Sequence, residues 1–225
     1  MRLLRAMAPA WILLAALAAF TLWARARLPD APMAVHFDGQ FRPNGWWPRD
    51  RALFVPLGIE AAVLAVLAAA PWLLPPKGAL ERSAPAYGAA CFALSAFLGA
   101  VQFSILSRAL GWPTPPIGMV LPVGVGLLLL VLGNYLGKIR YNFVMGVRTP
   151  WTLASEAVWD RTHRVAAPLF MLGGAGIVAG AIFAPGHAQA IILAGALVPG
   201  LLASAYSWWL WAHLPDEDRR RIGSR

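Results

Sequence analysis

Six long apolar stretches separated by shorter polar ones set the pattern of this chain: 6–23, 52–74, 85–107, 117–136, 165–184 and 188–212. Each reaches the roughly 18 residues that carry an α-helix across about 30 Å of hydrocarbon. None breaks into the alternating ten-residue segments of a transmembrane β-barrel. The pattern predicts an all-α integral membrane protein with six transmembrane helices. Along the chain it divides into 1–51 (first span and a polar loop), 52–116 (second and third spans) and 117–225 (three spans, a central polar segment and a charged tail from 214). The first span follows Arg2 and Arg5, is long for a signal sequence and has no convincing small-residue cleavage site, so it is expected to stay as a signal anchor.

Two polar segments interrupt the pattern. The loop 25–51 carries Pro29, Pro32, Pro43 and Pro48, which argue against a long helix, and the turn signals Asp38-Gly39 and Asn44-Gly45, each able to close a short hairpin. Trp46 and Trp47 suit an interfacial aromatic belt, and together these features predict a small ordered extracytoplasmic cap. The segment 133–164 gathers Asn134, Lys138, Arg140, Asn142, Arg148, Thr149, Thr152, Glu156, Asp160 and His163. Within it either Pro150 opens a helix after Thr149, or Thr152 caps one that begins at Leu153. From 154 to 164, Val158 and Trp159 fall on a different face from Glu156, Asp160 and His163, which predicts a cytoplasmic amphipathic helix on the membrane surface.

Composition agrees with a membrane class: 59% of the residues are hydrophobic and 13% charged. The net charge of +9 is explained by topology before nucleic-acid binding, because cytoplasmic loops are enriched in Lys and Arg. With the N-terminus inside, thirteen of the 19 Lys and Arg residues lie on the cytoplasmic side and six outside, which places both termini in the cytoplasm of a bacterial inner-membrane protein. The five arginines of the first loop dissent. A single cysteine, Cys91, inside an apolar run excludes a disulfide framework and a multi-cysteine metal site.

Glu60 is the acid inside a span, about 13 Å beyond Arg51 at 1.5 Å per residue. It must be paired, hydrated or protonated, and intramembrane acids are functional candidates. Gln102, or Arg108 at the end of the third span, is its expected partner. Gly133-x-x-x-Gly137 and Gly176-x-x-x-Gly180 are expected helix-packing sites. His163, three residues after Asp160, is expected in a surface ion pair. His36, Asp38 and His187 are ligand types on the outer side, but no spacing demands a metal, and neither metal nor cofactor is expected. Enzyme signatures such as HExxH, GxSxG or a phosphate-binding glycine loop are absent from the sequence, so no enzymatic activity is expected.

The run from GNYLGKIRYNFVMGVRTPWTL to DRTHR resembles the signature of the SdpI family of bacterial membrane proteins, and LPDAPMAVHFDGQFRPNGW resembles a small domain of unknown function that often precedes the SdpI module. The resemblance implies immunity or tolerance to a membrane-active peptide toxin, since the best-known member protects a cell against its own secreted toxin and is linked to holding a repressor at the membrane. Implied partners are the lipid bilayer, a secreted peptide toxin and a cytoplasmic transcriptional regulator, without direct nucleic-acid binding. The implied outer site is Pro32, His36, Phe37, Asp38, Gly39 and Trp46. The implied inner site is Asn134, Lys138, Arg140, Asn142, Arg148, Thr149, Pro150, Trp151, Thr152, Trp159 and His163. Tyr141 and Gly137 stand where the family pattern has proline, which predicts a looser turn after the fourth span. From other classes, a transporter would use Glu60, Gln102 and Asn134 as a midplane path, and a membrane scaffold subunit would keep a stable partner.

Overall fold

A computed structural model describes residues 2–73 and 79–215. Part of the predicted turn 75–83 and most of the charged tail from 214 therefore lie outside the described residues. The elements are α1 (Arg2–Arg25), strands β1 (Met33–Phe37) and β2 (Pro43–Trp47), α2 (Arg49–Leu73), α3 (Ala84–Ala109), α4 (Ile117–Leu136), the short α5 (Pro150–Ala154), α6 (Glu156–Phe183) and α7 (Ala188–His213). Among the described residues six helices are long and apolar enough to cross a membrane, and the protein is a multi-pass, all-α membrane protein.

On α1 the buried residues Leu3, Met7, Ala10, Leu14, Leu17, Thr21 and Ala24 recur at alternating spacings of four and three, one stripe of a helix. That stripe faces α3, and the close approach is made possible by Gly88, where a β-carbon would run into the backbone of Ala6. The next large contact joins α3 to α4, and α4 then packs on α6 and α6 on α7. The bundle is thus α1–α3 at one end of the row and α4, α6 and α7 at the other. Large side chains such as Leu172, Phe183 and Leu201 stay exposed, as expected of surfaces that meet lipid rather than water.

Glycines decide where the later helices cross, though not all the expected ones. Gly126 and Gly174 meet backbone to backbone between α4 and α6, as do Gly173 and Gly195 between α6 and α7. Gly133 fits against Ala167 and Met171, as expected, with Gly137 near Arg164 and Ala167. Gly176 has nothing within 4 Å, so Gly176 and Gly180 do not act as a pair. Gly176 instead borders an open groove between α6 and α7 that Gly173, Ile191 and Gly195 also line, so no atom of α7 reaches it.

At one end of the bundle β1 and β2 form an antiparallel hairpin, with Met33 opposite Trp47 and Phe37 opposite Pro43. Asp38 organises its turn: Oδ1 accepts from the backbone N–H groups of Gln40 (2.8 Å) and Arg42 (2.9 Å), and these donors hold the carboxyl below its ordinary pKa. Asp38-Gly39 is therefore a turn, as expected. Asn44-Gly45 is not, because it lies inside β2. There the missing side chain of Gly45 makes room for His36, whose Nδ1 donates to Asn44 Oδ1. Phe20, Trp23, Phe103 and Trp112 cluster beside the hairpin, with Arg27 over Trp23 at 4.1 Å, the composition of a membrane interface.

Candidate functional site

The polar segment between α4 and α6, at the end of the bundle opposite the hairpin, folds by bonding to itself. Asn142, 1% exposed, accepts from the N–H groups of Val144 and Met145 at 2.8 Å each and donates to Arg140 O at 2.8 Å, a side chain standing in for backbone in a turn. Gly146 follows at φ 120°, a conformation that favours glycine. A β-carbon there would collide with His163 Nε2 and the Trp159 ring.

Trp159 is the centre of the segment. Fully buried, it donates from Nε1 to Ile139 O at 2.9 Å, stacks on His163 at 4.0 Å and meets Tyr141 edge-on at 5.5 Å. His163 Nε2 accepts from Val147 N–H at 3.0 Å, and its Nδ1 lies 2.8 Å from Trp159 O. An N–H only donates and a carbonyl only accepts, so the ring is neutral with its proton on Nδ1. The expected surface ion pair of His163 is corrected accordingly: the side chain is 1% exposed, on the face it shares with Trp159 four residues earlier. The expected separate amphipathic helix over 154–164 is corrected too. Ser155 caps α6 by accepting from Val158 N–H, and Glu156 to Arg164 are the first turns of the membrane-crossing helix itself.

Thr149 settles the start of α5. It forms a capping box with Thr152, Pro150 occupies the first turn, and Thr149 Oγ1 lies 2.9 Å from Ser207 Oγ on α7. Arg140 N–H donates to Ser83 Oγ at 2.9 Å, tying the segment to the turn before α3. Contrary to the looser turn expected after α4, Tyr141 is buried and donates to Leu153 O at 2.6 Å. Burial pushes its phenol above the ordinary pKa, with the charge of Glu156 adding to the effect. Replacing Thr149 by valine is expected to lower stability by about 1–2 kcal/mol through the lost cap and the lost hydrogen bond to Ser207, whose own hydroxyl still donates to Ser204 O, while Thr149→Ser keeps most of it. Thermal unfolding in detergent measures both.

Of the inner residues singled out from the sequence, Asn142, Thr149, Thr152, Trp159 and His163 are buried and hold the segment together; Trp151 is half-buried against the Val158–Leu210 contact. Asn134, Lys138, Arg140, Arg148 and Pro150 are exposed. Arg148 donates to Phe143 O at 3.0 Å and borders a cavity of about 430 Å³ whose walls include Ala90, Leu132 and Phe170, a volume within the range of ligand pockets. An apolar pocket with a guanidinium at its rim can hold a chain with an anionic end.

At the hairpin end Pro32 and Phe37 line a separate cavity, Gly39 approaches Gln189 of α7, and His36, Asp38 and Trp46 face outward in varying degree. Inside the bundle, Glu60 is 2% exposed and accepts from Ser95 Oγ at 2.5 Å, not from Gln102 or Arg108 as expected. Gln102 donates to Leu53 O at 3.0 Å and Arg108 to Pro115 O at 2.9 Å. In antiparallel α2 and α3, Leu53 faces Gln102, and seven residues on, about 10.5 Å, Glu60 faces Ser95. Glu60, Gln102 and Asn134 are not brought together. Ser95, Ser207, Ser83 and Gly146 were not singled out from the sequence; only Gly146, a glycine between Met145 and Val147 in a polar segment, carries a local turn signal.

This self-bonded segment and the two helices after it coincide with a known family. Residues 138–211 match the SdpI/YfhL protein family. A relative, "Immunity protein SdpI" of Bacillus subtilis (strain 168), is 35% identical over 74 residues, which cover 33% of this chain and 35% of the relative. The chain thus spans about a third of the length of the curated relative it matches. The SdpI match begins at Lys138, and from there it takes in Trp159, His163 and Ser207. No solved structure matches the chain.

Proposed function

We propose that this protein is a membrane-embedded immunity or tolerance factor against a membrane-active peptide, the role that the name of its SdpI relative describes. The observation that carries the proposal is the match over 138–211, a region whose buried residues are tied into one unit across α4, α6 and α7. The Lys and Arg distribution supports cytoplasmic termini, an outward hairpin and an inward SdpI segment. In that orientation the hairpin meets a secreted peptide, and the exposed Lys138, Arg140 and Arg148 offer a surface to a cytoplasmic regulator.

The test is survival of a toxin-sensitive strain challenged with the secreted killing peptide of Bacillus subtilis. The strain expresses the native protein, Arg148→Ala/Trp151→Ala or His36→Ala/Trp46→Ala. Protection by the native protein that disappears in the hairpin variant and persists in the other places recognition on the hairpin side; the reverse places it on the SdpI segment. No protection from a correctly inserted protein rejects the proposal. One observation favours a second reading, transport, namely the buried carboxyl of Glu60 within a span. Full activity of Glu60→Gln in the same assay removes that reading.

A further inference from the structure

We infer that the cleft beneath the hairpin captures the C-terminal carboxylate of an apolar peptide, with Ser104 and Arg108 of α3 as its donors. The inference rests on the immunity reading and names the place where the peptide docks. The cleft is a cavity of about 310 Å³ between β1 and α3, walled by apolar side chains including Leu28, Met33, Phe37 and Ile105. A second cavity of about 410 Å³ shares Phe37, Pro43, Arg108 and Ile117 with it, so Arg108 stands where the two adjoin. Both volumes are those of ligand sites.

Two polar groups interrupt this apolar lining, and both donate. Ser104 is 4% exposed, yet its Oγ has no hydrogen-bond partner among the described residues. A buried hydroxyl left unmatched is destabilising, and an acceptor brought by a ligand would complete it. Arg108 lies four residues on, hence on the same face of α3 one turn nearer the membrane surface. Its Nη2 is held by Pro115 O, which orients the guanidinium and leaves further N–H groups for a ligand. No carboxylate among the described residues pairs with Arg108. A hydroxyl and a guanidinium on one helix face, set in an apolar cleft, select an anionic oxygen attached to an apolar chain.

The surroundings favour a peptide as the source of that oxygen. Arg25, Arg27, Arg42, Arg49 and Arg51 outnumber Asp30, Asp38 and Asp50 in the same loop, so an anionic end is attracted from a distance. Among the described residues the sheet has two strands, so β1, whose Met33, Ala34 and Phe37 line the cleft, has no strand on its other side there. Such an edge offers N–H and C=O groups to an extended backbone, and capture of a terminal carboxylate beside it is a known mode of peptide recognition. An acyl chain would use neither.

The experiment measures binding of the Bacillus subtilis killing peptide, as free acid and as C-terminal amide, to the full chain in detergent, beside survival of cells expressing each variant. The free acid is expected to bind the native protein about tenfold more tightly than the amide, the loss that removing one charged partner brings. Arg108→Gln should abolish that preference, and Ser104→Ala should reduce it by several-fold, neither with a lowered thermal midpoint. Equal binding of acid and amide by a protein that protects cells overturns the docking site and leaves the immunity reading standing. Absence of both binding and protection overturns the two together. Displacement of the peptide by dodecanoate at equal concentration assigns the cleft to lipid and overturns it as a peptide site.

Discussion

Trp159→Ala is expected to cost about 3–5 kcal/mol and to unfold the segment between α4 and α6 at temperatures where the native protein is intact. The side chain is fully buried, so its removal leaves a cavity bounded by Tyr141, His163 and Gly146. It also orphans Ile139 O, which accepts from the indole at 2.9 Å. Trp159→Phe separates the two effects: the ring contacts remain, and the lost hydrogen bond alone should cost about 1–3 kcal/mol. Gly146→Ala should resemble the alanine variant in effect, because the residue sits at φ 120° and a methyl group would displace His163 from Val147 N–H. Thermal unfolding in detergent, with limited proteolysis of the exposed Arg140 and Arg148 bonds, reads both stability and the local opening. A Trp159→Ala protein as stable and as protease-resistant as the native one would refute the account of this segment as a single packed unit.

The contrast between Gly174→Val and Gly176→Val should be nearly as large. At Gly174 a β-carbon would meet Gly126 O and Leu130 N, backbone atoms of α4 that cannot rotate away, so valine must push α4 and α6 apart. Lost packing along that helix pair is expected to cost about 3 kcal/mol or more. At Gly176 nothing lies within 4 Å, and valine should change stability by about 0.5 kcal/mol or less. Unfolding in detergent of the two single variants decides the matter, and an equally damaging Gly176→Val would mean that this face of α6 is covered by another copy or partner.

These positions also mark the limit of reading the chain as a string. The six spans were legible because each must hide a helix's length of backbone in lipid, a demand written into continuous composition. The boundary of α6 was not. Glu156, Asp160 and His163 are polar, and a hydropathy reading starts the span at Val165, whereas the structure extends the helix back to its Ser155 cap. His163 was read by its neighbour Asp160 as a surface group, but its partners, Trp159 O and Val147 N–H, include one sixteen residues away across a turn. Gly176 matched a packing motif and Gly174 did not, since spacing records that two residues share a face and not which helix that face meets.

The sequence by itself determined the membrane class, the number of spans, the Asp38-Gly39 turn and the polar segment as the place of interest, because these follow from local composition and from chain-neighbour hydrogen bonding. Tertiary structure alone decided that Glu60 pairs with Ser95, that Thr149 reaches Ser207, and that Ser104 and Arg108 face a cleft under the hairpin. Those contacts depend on the registers in which helices and hairpin pack. Register is set by small residues such as Gly88, Gly126 and Gly174 meeting backbone from distant parts of the chain, so it is a property of surfaces that exist only once the helices are assembled.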